Sequence, residues 1–314
     1  MTGNARAADV IVVGGGPAGY TAALYCARAG LSVLVLERLS AGGQMAASAG
    51  IENYPGFDEA VDGFSLGERM QRQAERFGAR TTLCEVTGAK LDAPAKTLVT
   101  SEGDMTAPCV ILATGAYPRK LDLPGGKRFD GRSVHYCASC DGMAYRGKRV
   151  SIVGGGDAAV ADALVLSRIC EHVTLIHRRD RLRAAQAEQK LLLAARNVAL
   201  CMSSAVVALE GEERFSGVRV RNTETGEERE IACDGLFVSI GRVPDTAPFA
   251  GGALELDASG YIVADETART SLPGVFAAGD VRAKEVRQIV TAVADGAVAA
   301  RRAEEYIARN ERVK

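Results

Sequence analysis

The sequence predicts an α/β protein of two three-layer ββα domains, with the second domain inserted into the first. Three observations predict this architecture. The chain repeats one strand–turn–helix–strand pattern, two similar glycine turns flank the second copy, and a C-terminal segment adds a further strand and a long helix. A chain of 314 residues is long enough for two domains of ordinary size.

The repeat is the strongest signal. "DVIVVGGGPAGYTAALYCARAGLSVLVLER" (Asp9–Arg38) aligns without a gap with "RVSIVGGGDAAVADALVLSRICEHVTLIHR" (Arg149–Arg178), at a constant offset of 140 residues. Each copy has an apolar strand, a glycine turn, an amphipathic helix and a second apolar strand, which is a βαβ unit. Each also carries the G-x-G-x-x-G/A fingerprint of a Rossmann-like dinucleotide-binding domain. One fingerprint alone is a weak signal, but two in matched context favour two nucleotide sites over ligand-free glycine turns.

The glycines have a physical purpose in such a turn. Gly14 and Gly16, like Gly154 and Gly156, permit a tight turn and let the backbone approach a pyrophosphate, whose charge the following helix N-terminus favours. The third position allows close packing of helix and strand. It is Gly19 in the first copy and Ala159, a permitted variant, in the second.

The residue that ends the second strand separates the two ligands. Glu37 ends that strand in the first copy, and a carboxylate there binds ribose hydroxyls and repels a 2′-phosphate. His177 is the counterpart in the second copy and opens "HRRDRLR", in which arginines offer forked donors to a phosphate. We therefore expect FAD in the first domain and NADPH in the second. The alternative is a solvated charge run at a helix start.

The remaining pattern places the domain boundaries. "ATGAYP" and "SIGRVP" are matching strand-ending turns on either side of the second copy, so we expect them to connect an inserted domain to its host. The predicted FAD-binding domain comprises residues 1–117 and 246–314. The predicted NADPH-binding domain comprises residues 118–245. Helices are expected near Asp62–Phe77 and from about Arg287.

Two of the eight cysteines form a motif, Cys137-x-x-Cys140, directly followed by Asp141. A structural zinc site usually needs a second such pair, although His135 could be a stray third ligand. A structural disulfide is the other alternative. A redox-active pair fits best, because in a reducing compartment a cysteine pair is more often catalytic than structural. The other six cysteines lie singly in apolar stretches and are interpreted as core residues.

Composition excludes several classes of partner. The net charge is −1, with 47% hydrophobic and 25% charged residues, so we see no basic excess that would indicate nucleic acid and no acidic tail. We see no export signal in "MTGNARAADVIVVGGG" and no apolar run of the roughly 20 residues that a membrane span needs. We expect a cytoplasmic protein, no membrane association and no metal.

The ordered motifs resemble one family closely. "GGGPAG", "ERLSAGGQM", "IENYPGF", "ILATGA", "CASCDG", "GGGDAA", "HRRDRLRA", "SIGRVP", "GVFAAGDV" and "RQIVTAVADG" cover nearly the whole chain. They resemble the low-molecular-weight (class II) thioredoxin reductases of the pyridine nucleotide-disulfide oxidoreductase superfamily. The larger glutathione-reductase-like enzymes carry their cysteines near the first glycine motif, where "GGQMAASAG" has none.

The resemblance implies a homodimeric flavoprotein that passes electrons from NADPH through FAD and the Cys137–Cys140 disulfide to thioredoxin. It implies that Cys140 is the cysteine nearer the flavin. Asp141 is the expected general acid/base, with His135 a lesser candidate. The implied FAD contacts are Gly14, Gly15, Gly16, Pro17, Ala18, Gly19, Glu37, Arg38, Gly43, Gln44, Asn53, Val86, Thr114, Gly115, Gly279, Asp280, Arg287, Gln288 and Ile289. The implied NADPH contacts are Gly154, Gly156, Asp157, Ala158, His177, Arg178, Arg179, Arg183 and Gly241.

The sequence departs from the family pattern at two places. Met143-Ala144 stands where many relatives have two aromatic residues that help to bind thioredoxin, and Ala158 replaces a common Ser or Thr. Alternative functions on the same fold are a dithiol oxidase, a ferredoxin-driven disulfide reductase and a non-enzymatic redox sensor. The arginines after His177 argue against the first two, because those enzymes have less need of an NADPH site.

Overall fold

The computed structural model describes residues 8–48, 50–124 and 126–311. Its strands and helices follow the chain as β1 Val10–Val13, α1 Pro17–Arg28, β2 Val33–Glu37, α2 Gly63–Arg76, β3 Arg80–Leu83, β4 Val86–Lys90, β5 Lys96–Thr100, β6 Met105–Ala107, β7 Cys109–Leu112, β8 Ala116–Pro118, β9 Val134–His135, α3 Ala138–Asp141, β10 Arg149–Val153, α4 Asp157–Ser167, β11 His172–Ile176, α5 Gln186–Ala194, β12 Val198–Cys201, β13 Ser204–Glu210, β14 Gly217–Asn222, β15 Glu228–Ala232, β16 Gly235–Val238, β17 Arg242–Pro244, β18 Val275–Ala277 and α6 Ile289–Glu311.

The chain divides into two compact units. Unit 1 comprises Met1–Tyr117 and Val243–Lys314, and unit 2 comprises Pro118–Arg242, so unit 2 is inserted in the sequence of unit 1. In unit 1, the N–H of Asp245 donates to the carbonyl of Gly115 at 3.0 Å. This bond ties Asp245 to unit 1, which is why the division falls slightly earlier than the 245/246 boundary placed from the sequence.

Unit 1 is built on a parallel five-stranded sheet in the order β18-β7-β1-β2-β3. Alternate residues of β1 face different layers. Val10 and Val12 pack into a cluster with residues of α1 and α6. Ile11 and Val13 pack into another with residues such as Leu98 of β5, which belongs to the antiparallel sheet β4-β5-β6. The layers are therefore helix, parallel sheet and antiparallel sheet. Each fully buried valine or isoleucine contributes about 1.5–3 kcal/mol.

Unit 2 repeats this plan. Its parallel sheet has the order β12-β11-β10-β16-β9. Phe237 of β16 packs with residues of α4, whereas its neighbours Leu236 and Val238 pack with residues of the antiparallel sheet β13-β14-β15. The predicted fold class, with two three-layer ββα domains, is confirmed. The sequence did not specify the strands of this second antiparallel sheet.

The helix predicted near Asp62–Phe77 shows why local signals work. Asp62 is the N-cap of α2, and its carboxylate accepts a hydrogen bond from the backbone N–H of Ser65 at 2.8 Å. That bond lowers the pKa of Asp62, as is typical of a capping carboxylate. In the part of the chain that the structure describes, we find no helix long and apolar enough to span a bilayer.

Candidate active site

The first glycine turn lies between β1 and α1 in unit 1. Gly14 has φ +103°, and a Cβ there would lie 2.5 Å from the carbonyl oxygen of Ala113. A Cβ on Gly19 would overlap the carbonyl oxygen of Gly14. Gly16 differs, since no described atom outside its chain neighbours lies within 4 Å of where its Cβ would be. The turn therefore needs Gly14 and Gly19 for its own packing, while Gly16 leaves space in front of α1.

Glu37 lies beside this turn at the end of β2. One carboxylate oxygen, Oε2, accepts a hydrogen bond from the N–H of Gly15 at 2.6 Å, and Oε1 accepts one from Leu39 at 2.9 Å. A Cβ on Gly15 would lie 3.0 Å from Oε2 and 3.1 Å from the Tyr20 hydroxyl. Burial raises the pKa of Tyr20 to about 12. The turn and the strand end thus hold a negative charge beside the space that Gly16 leaves.

Other implied FAD contacts converge on the same turn. Gly43, with φ +55°, would place a Cβ 3.4 Å from the Cα of Gly16. Gly279, with φ +76°, would place one 2.9 Å from the Cβ of Ala18. Both turns therefore pack against the glycine turn, and they carry Gln44 and Asp280 with them. Pro17 is the first residue of α1.

Four more of the implied FAD contacts are held in place by contacts of their own. The amide of Asn53 donates to the side-chain oxygen of Gln288 at 3.1 Å, just before α6 begins at Ile289. The Thr114 hydroxyl donates to the carbonyl of Asp245 at 2.6 Å. The Arg287 guanidinium lies 4.2 Å from the centre of the Tyr261 ring.

Two implied FAD contacts are placed less directly. Arg38 forms an exposed ion pair with Glu85 at 3.7 Å. Val86 begins β4 and packs against the cluster beneath the antiparallel layer.

A buried ion cluster behind Gly279 was missed by the sequence analysis. Asp295 of α6 accepts hydrogen bonds from the N–H of Gly279 at 3.0 Å and from Lys284 at 2.8 Å. It also accepts one from Arg282 at 3.1 Å. A carboxylate satisfied in this way fixes the Gly279–Asp280 turn against α6. The sequence spacing of these residues gives no sign that they meet.

The second glycine turn lies between β10 and α4 in unit 2. Gly154 has φ +153°, and a Cβ there would lie 2.5 Å from the Cβ of Ala159. The turn therefore accommodates an alanine at the third position. The Asp157 carboxylate accepts a hydrogen bond from the N–H of Ala185 at 2.8 Å, which ties the loop before α5 to the turn. Ala158 is exposed at the helix start.

The strand-end residue of unit 2, His177, is buried and does not reach the surface beside the glycine turn. A Cβ on Gly155 would overlap the His177 ring, and His177 is 5% exposed. Burial lowers the pKa of His177, and Arg183 lowers it further, so the imidazole is neutral at pH 7. His177 consequently supports the turn, and charge must come from the arginines that follow it.

Three of those arginines are exposed around the turn. The N–H of Arg183 donates to the carbonyl of Gly155 at 2.6 Å, and its guanidinium lies 3.9 Å from where a Gly156 Cβ would be. Arg178 and Arg179 begin the exposed loop after β11. Gly241, with φ +102°, lies in a turn whose carbonyl accepts a hydrogen bond from Arg119. The geometry therefore surrounds this glycine turn with positive charge.

The Cys137–Cys140 pair is joined as a disulfide in unit 2. Cys137 precedes the short helix α3, and the N–H of Asp141 donates to its carbonyl at 3.1 Å. The imidazole Nδ1 of His135 lies 3.4 Å from Oδ2 of Asp141. Met143, two residues beyond Asp141, is 47% exposed. A disulfide, a carboxylate and an imidazole thus lie within one short segment of unit 2.

The other six cysteines are all buried, as predicted. Burial raises the pKa of Cys26 to about 12 and that of Cys170 to about 11. These thiols therefore stay protonated and unreactive at neutral pH. Within residues 8–48, 50–124 and 126–311, we find no cluster of three or more His, Cys, Asp or Glu side chains able to hold a metal ion.

Comparison with known proteins gives consistent matches. Residues 8–296 match the family described as pyridine nucleotide-disulphide oxidoreductase. A thioredoxin reductase of Treponema pallidum is 47% identical over 95% of this chain and 97% of its own length. One of Streptomyces clavuligerus is 44% identical over 96% and 94%. The crystal structure of thioredoxin reductase from Streptococcus pyogenes superposes with a TM-score of 0.90 at 39% identity, covering 96% of this chain and 98% of that one.

Proposed function

The chain belongs to the pyridine nucleotide-disulphide oxidoreductase family, and from this premise we propose that it is a thioredoxin-disulfide reductase. The observation that carries the proposal is the Cys137–Cys140 disulfide, followed directly by Asp141, in the unit that holds the second glycine turn. The relatives from Treponema pallidum and Streptomyces clavuligerus bear the name of this activity.

The family uses a flavin and a nicotinamide dinucleotide, and the residues present fit both. In unit 1 the space before Gly16, with the Glu37 carboxylate beside it, suits a dinucleotide whose adenosine ribose carries no phosphate. We assign FAD to this unit. We assign Gly43, Gln44, Gly279 and Asp280 as contacts of this dinucleotide, because their turns pack against the first glycine turn.

Unit 2 suits a phosphorylated nicotinamide dinucleotide. Gly156 leaves the turn open, and Arg183 lies beside it. Arg178 and Arg179 add two exposed guanidinium groups that can bind a 2′-phosphate. We therefore assign NADPH to this unit. Bound flavin supplies the step that converts hydride transfer into electron delivery to a disulfide.

The protein's own groups carry out the thiol chemistry. Reduction of the disulfide gives two thiols, and a thiolate of one attacks the substrate disulfide. The second cysteine resolves the mixed disulfide, which re-forms Cys137–Cys140 and releases the reduced substrate. We assign Asp141, the residue after Cys140, as the general acid/base that takes up the proton of the second thiol. Two electrons and two protons then end on the substrate sulfurs.

Partner, assembly and compartment are part of the same proposal. We assign thioredoxin as the substrate because relatives that match this chain over nearly their whole length carry that name. Met143 is exposed beside the pair and would replace the usual aromatic contact with a weaker, adaptable one. We assign a homodimer and a cytoplasmic location on the same family basis. Light scattering on the purified protein measures the oligomeric state directly.

The variant Cys140→Ser tests the function. Anaerobic NADPH should still bleach the bound flavin in this variant, whereas NADPH oxidation with oxidised thioredoxin should fall by about a thousandfold or more, since no second thiol closes the cycle. Stopped-flow absorbance measures both steps. Cys233→Ser, at a buried cysteine, is the control and should turn over normally.

Several results would overturn the proposal. Full thioredoxin turnover by Cys140→Ser would remove the pair from the reaction. Purified wild type without bound flavin, or flavin that NADPH leaves oxidised, would remove the electron source. Rapid oxygen consumption with small dithiols would instead identify a dithiol oxidase, and reduction by ferredoxin alone would identify a ferredoxin-driven enzyme.

A further inference from the structure

The imidazole of His135 is held between two polar side chains next to the redox pair. Its Nδ1 lies 3.4 Å from Oδ2 of Asp141, and its Nε2 lies 2.8 Å from the Tyr145 hydroxyl. The ring stacks on Phe237, with centroids 5.4 Å apart, and meets the edge of Tyr145 at 5.3 Å. The His135 side chain is 10% exposed. Its orientation is therefore fixed from several sides.

His135 and Asp141 lie close enough to exchange a proton. A bare carboxylate oxygen facing an imidazole lone pair at 3.4 Å would be repelled, so either Nδ1 or Oδ2 carries hydrogen. The remaining choice is at Nε2, which either donates to the Tyr145 oxygen or accepts from its hydroxyl. The pair can thus gain a second proton on the imidazole without moving a heavy atom.

Tyr145 closes this network instead of extending it. Its hydroxyl also contacts the carbonyl of Arg132 at 3.3 Å. Burial raises the pKa of Tyr145 to about 12, so the phenol keeps its proton at neutral pH. The charged and titratable groups around it are Asp141, Asp234, Cys233 and Lys148, whose ammonium lies 5.3 Å from the ring centre. A proton taken up at Asp141 therefore stays on the Asp141–His135 pair.

We propose that His135 is a positioning residue for Asp141, and that the two side chains hold the proton exchanged by the second cysteine thiol. The inference rests on the proposed disulfide-reductase function. During turnover the second thiol gives its proton to the pair as its sulfur closes the Cys137–Cys140 bond. The bond that breaks in this step is the mixed disulfide between the first cysteine and the substrate, whose own S–S bond broke when that cysteine attacked it. The two substrate sulfurs have then taken two electrons, and the held proton passes to one of them while solvent supplies the other.

The imidazole matters because it adds a second basic atom beside the carboxylate. A free carboxylic acid ordinarily titrates near pH 4 and a free imidazole near pH 6.5, and two groups that share a proton titrate as a pair. His135 therefore gives the exchanged proton a site that a lone carboxylate lacks. Protonation of the pair removes one negative charge from the segment that holds the cysteines, which favours a neighbouring thiolate.

The test is the pH dependence of alkylation of the reduced cysteine pair. Protein reduced with dithiothreitol is freed of reductant and treated with iodoacetamide, and modification of Cys137 and Cys140 is followed by mass spectrometry. The other six cysteines are buried and do not compete. Wild type should show an added step in rate on the acid side of the step that an ordinary thiol gives at about pH 8.5, from thiolate favoured when the pair is protonated.

His135→Asn should remove this step and lower the rate at pH 6 by about tenfold. Asparagine keeps an N–H donor near the position of Nδ1 but cannot gain a proton. In an Asp141→Asn background, the same change at His135 should have no further effect, because the two residues act through one proton. His172→Asn, at the start of β11 in the same sheet, is the matched control and should keep the wild-type profile.

Three outcomes would overturn the inference. They are an unchanged profile in His135→Asn, an equal effect of that change with and without Asp141, and a wild-type profile without the added step. If His135→Asn folds poorly, NMR of the His135 ring nitrogens in wild type replaces it. A titration midpoint of His135 that is the same in the oxidised and the reduced protein would equally refute the role. Alkylation uses neither NADPH nor thioredoxin. Failure of wild type to reduce thioredoxin, with the added step present, therefore counts against the function alone.

Discussion

The two glycine turns have the same backbone plan and opposite electrostatics. In unit 1 the strand-end residue is Glu37, whose carboxylate bonds the N–H of Gly15 at the mouth of the turn. In unit 2 its counterpart, His177, lies against Gly155 and is buried and neutral. Exposed arginines then supply the charge. Under the proposed assignment, the shared plan would hold a pyrophosphate in both units, while Glu37 in unit 1 and the arginine loop in unit 2 would select the ribose.

The middle glycine of each turn explains how the same strand-end position can hold a carboxylate in one unit and an imidazole in the other. Gly15 and Gly155 each face the residue that ends the second strand, so a side chain there would displace Glu37 or His177. The space that glycine leaves is filled by carboxylate oxygen in one unit and by an imidazole ring in the other. The two turns therefore share a backbone plan, and the side chain that fills the space beside the middle glycine differs between them.

Exchanging the third fingerprint residue gives the largest expected effect. Gly19→Ala would push a Cβ into the carbonyl oxygen of Gly14, which we expect to cost about 3 kcal/mol or more and to empty the flavin site. Ala159→Gly, the matched change in unit 2, should cost about 1 kcal/mol through helix propensity alone. Thermal unfolding and flavin absorbance measure both. Equal effects in the two units would show that the turns are packed alike.

The arginine loop gives the next effect. Arg178→Gln combined with Arg179→Gln should raise the KM for NADPH by about 10- to 100-fold, because each charge-assisted bond to a phosphate contributes about 1.5–3 kcal/mol. The KM for NADH should change little. Steady-state kinetics with both nucleotides measure the ratio.

Arg181→Gln is the control for that experiment. Arg181 already pairs with Asp180 at 3.6 Å, and its side chain is 90% exposed, so its loss should leave both KM values unchanged. A similar rise in KM for NADH and NADPH in the double variant would mean that the loop binds pyrophosphate and does not distinguish the ribose.

Much of this architecture is readable from the sequence because its signals are local. Periodicity marks β1, α1 and β2 and their counterparts, and Asp62 marks the start of α2 by a capping bond that spans three residues. Glycine positions predict the turns because φ is restricted for all other residues. The cysteine pair is visible since its two members are close in sequence.

The remaining features depend on side-chain direction and on contacts between distant segments. The carboxylate of Asp295 meets Arg282 and Lys284 because α6 returns over the Gly279 turn, which no short pattern encodes. His177 was expected to contact NADPH, yet its ring turns beneath Gly155. Similarly, His135 and Asp141 are close in sequence, but their approach depends on the packing of Phe237 and Tyr145.

The smallest expected effect tests the neutral state of His177. Its pKa is lowered in the folded protein, chiefly by burial, whereas in the unfolded chain it has its ordinary value of about 6.5. Below pH 6.5 the unfolded state therefore binds more protons than the folded state, and the free energy of unfolding falls as the pH falls. Above that pH, His177 is neutral in both states and no longer lowers the free energy of unfolding.

His177→Gln should flatten this dependence without changing the plan of the turn. Urea unfolding of wild type and variant at pH 8 and pH 5.5 isolates the contribution, since the other titrating groups are common to both proteins. We expect the wild type to lose more stability between these pH values than the variant does. Parallel losses would mean that His177 titrates alike in both states, and that burial does not hold its imidazole neutral beside the turn.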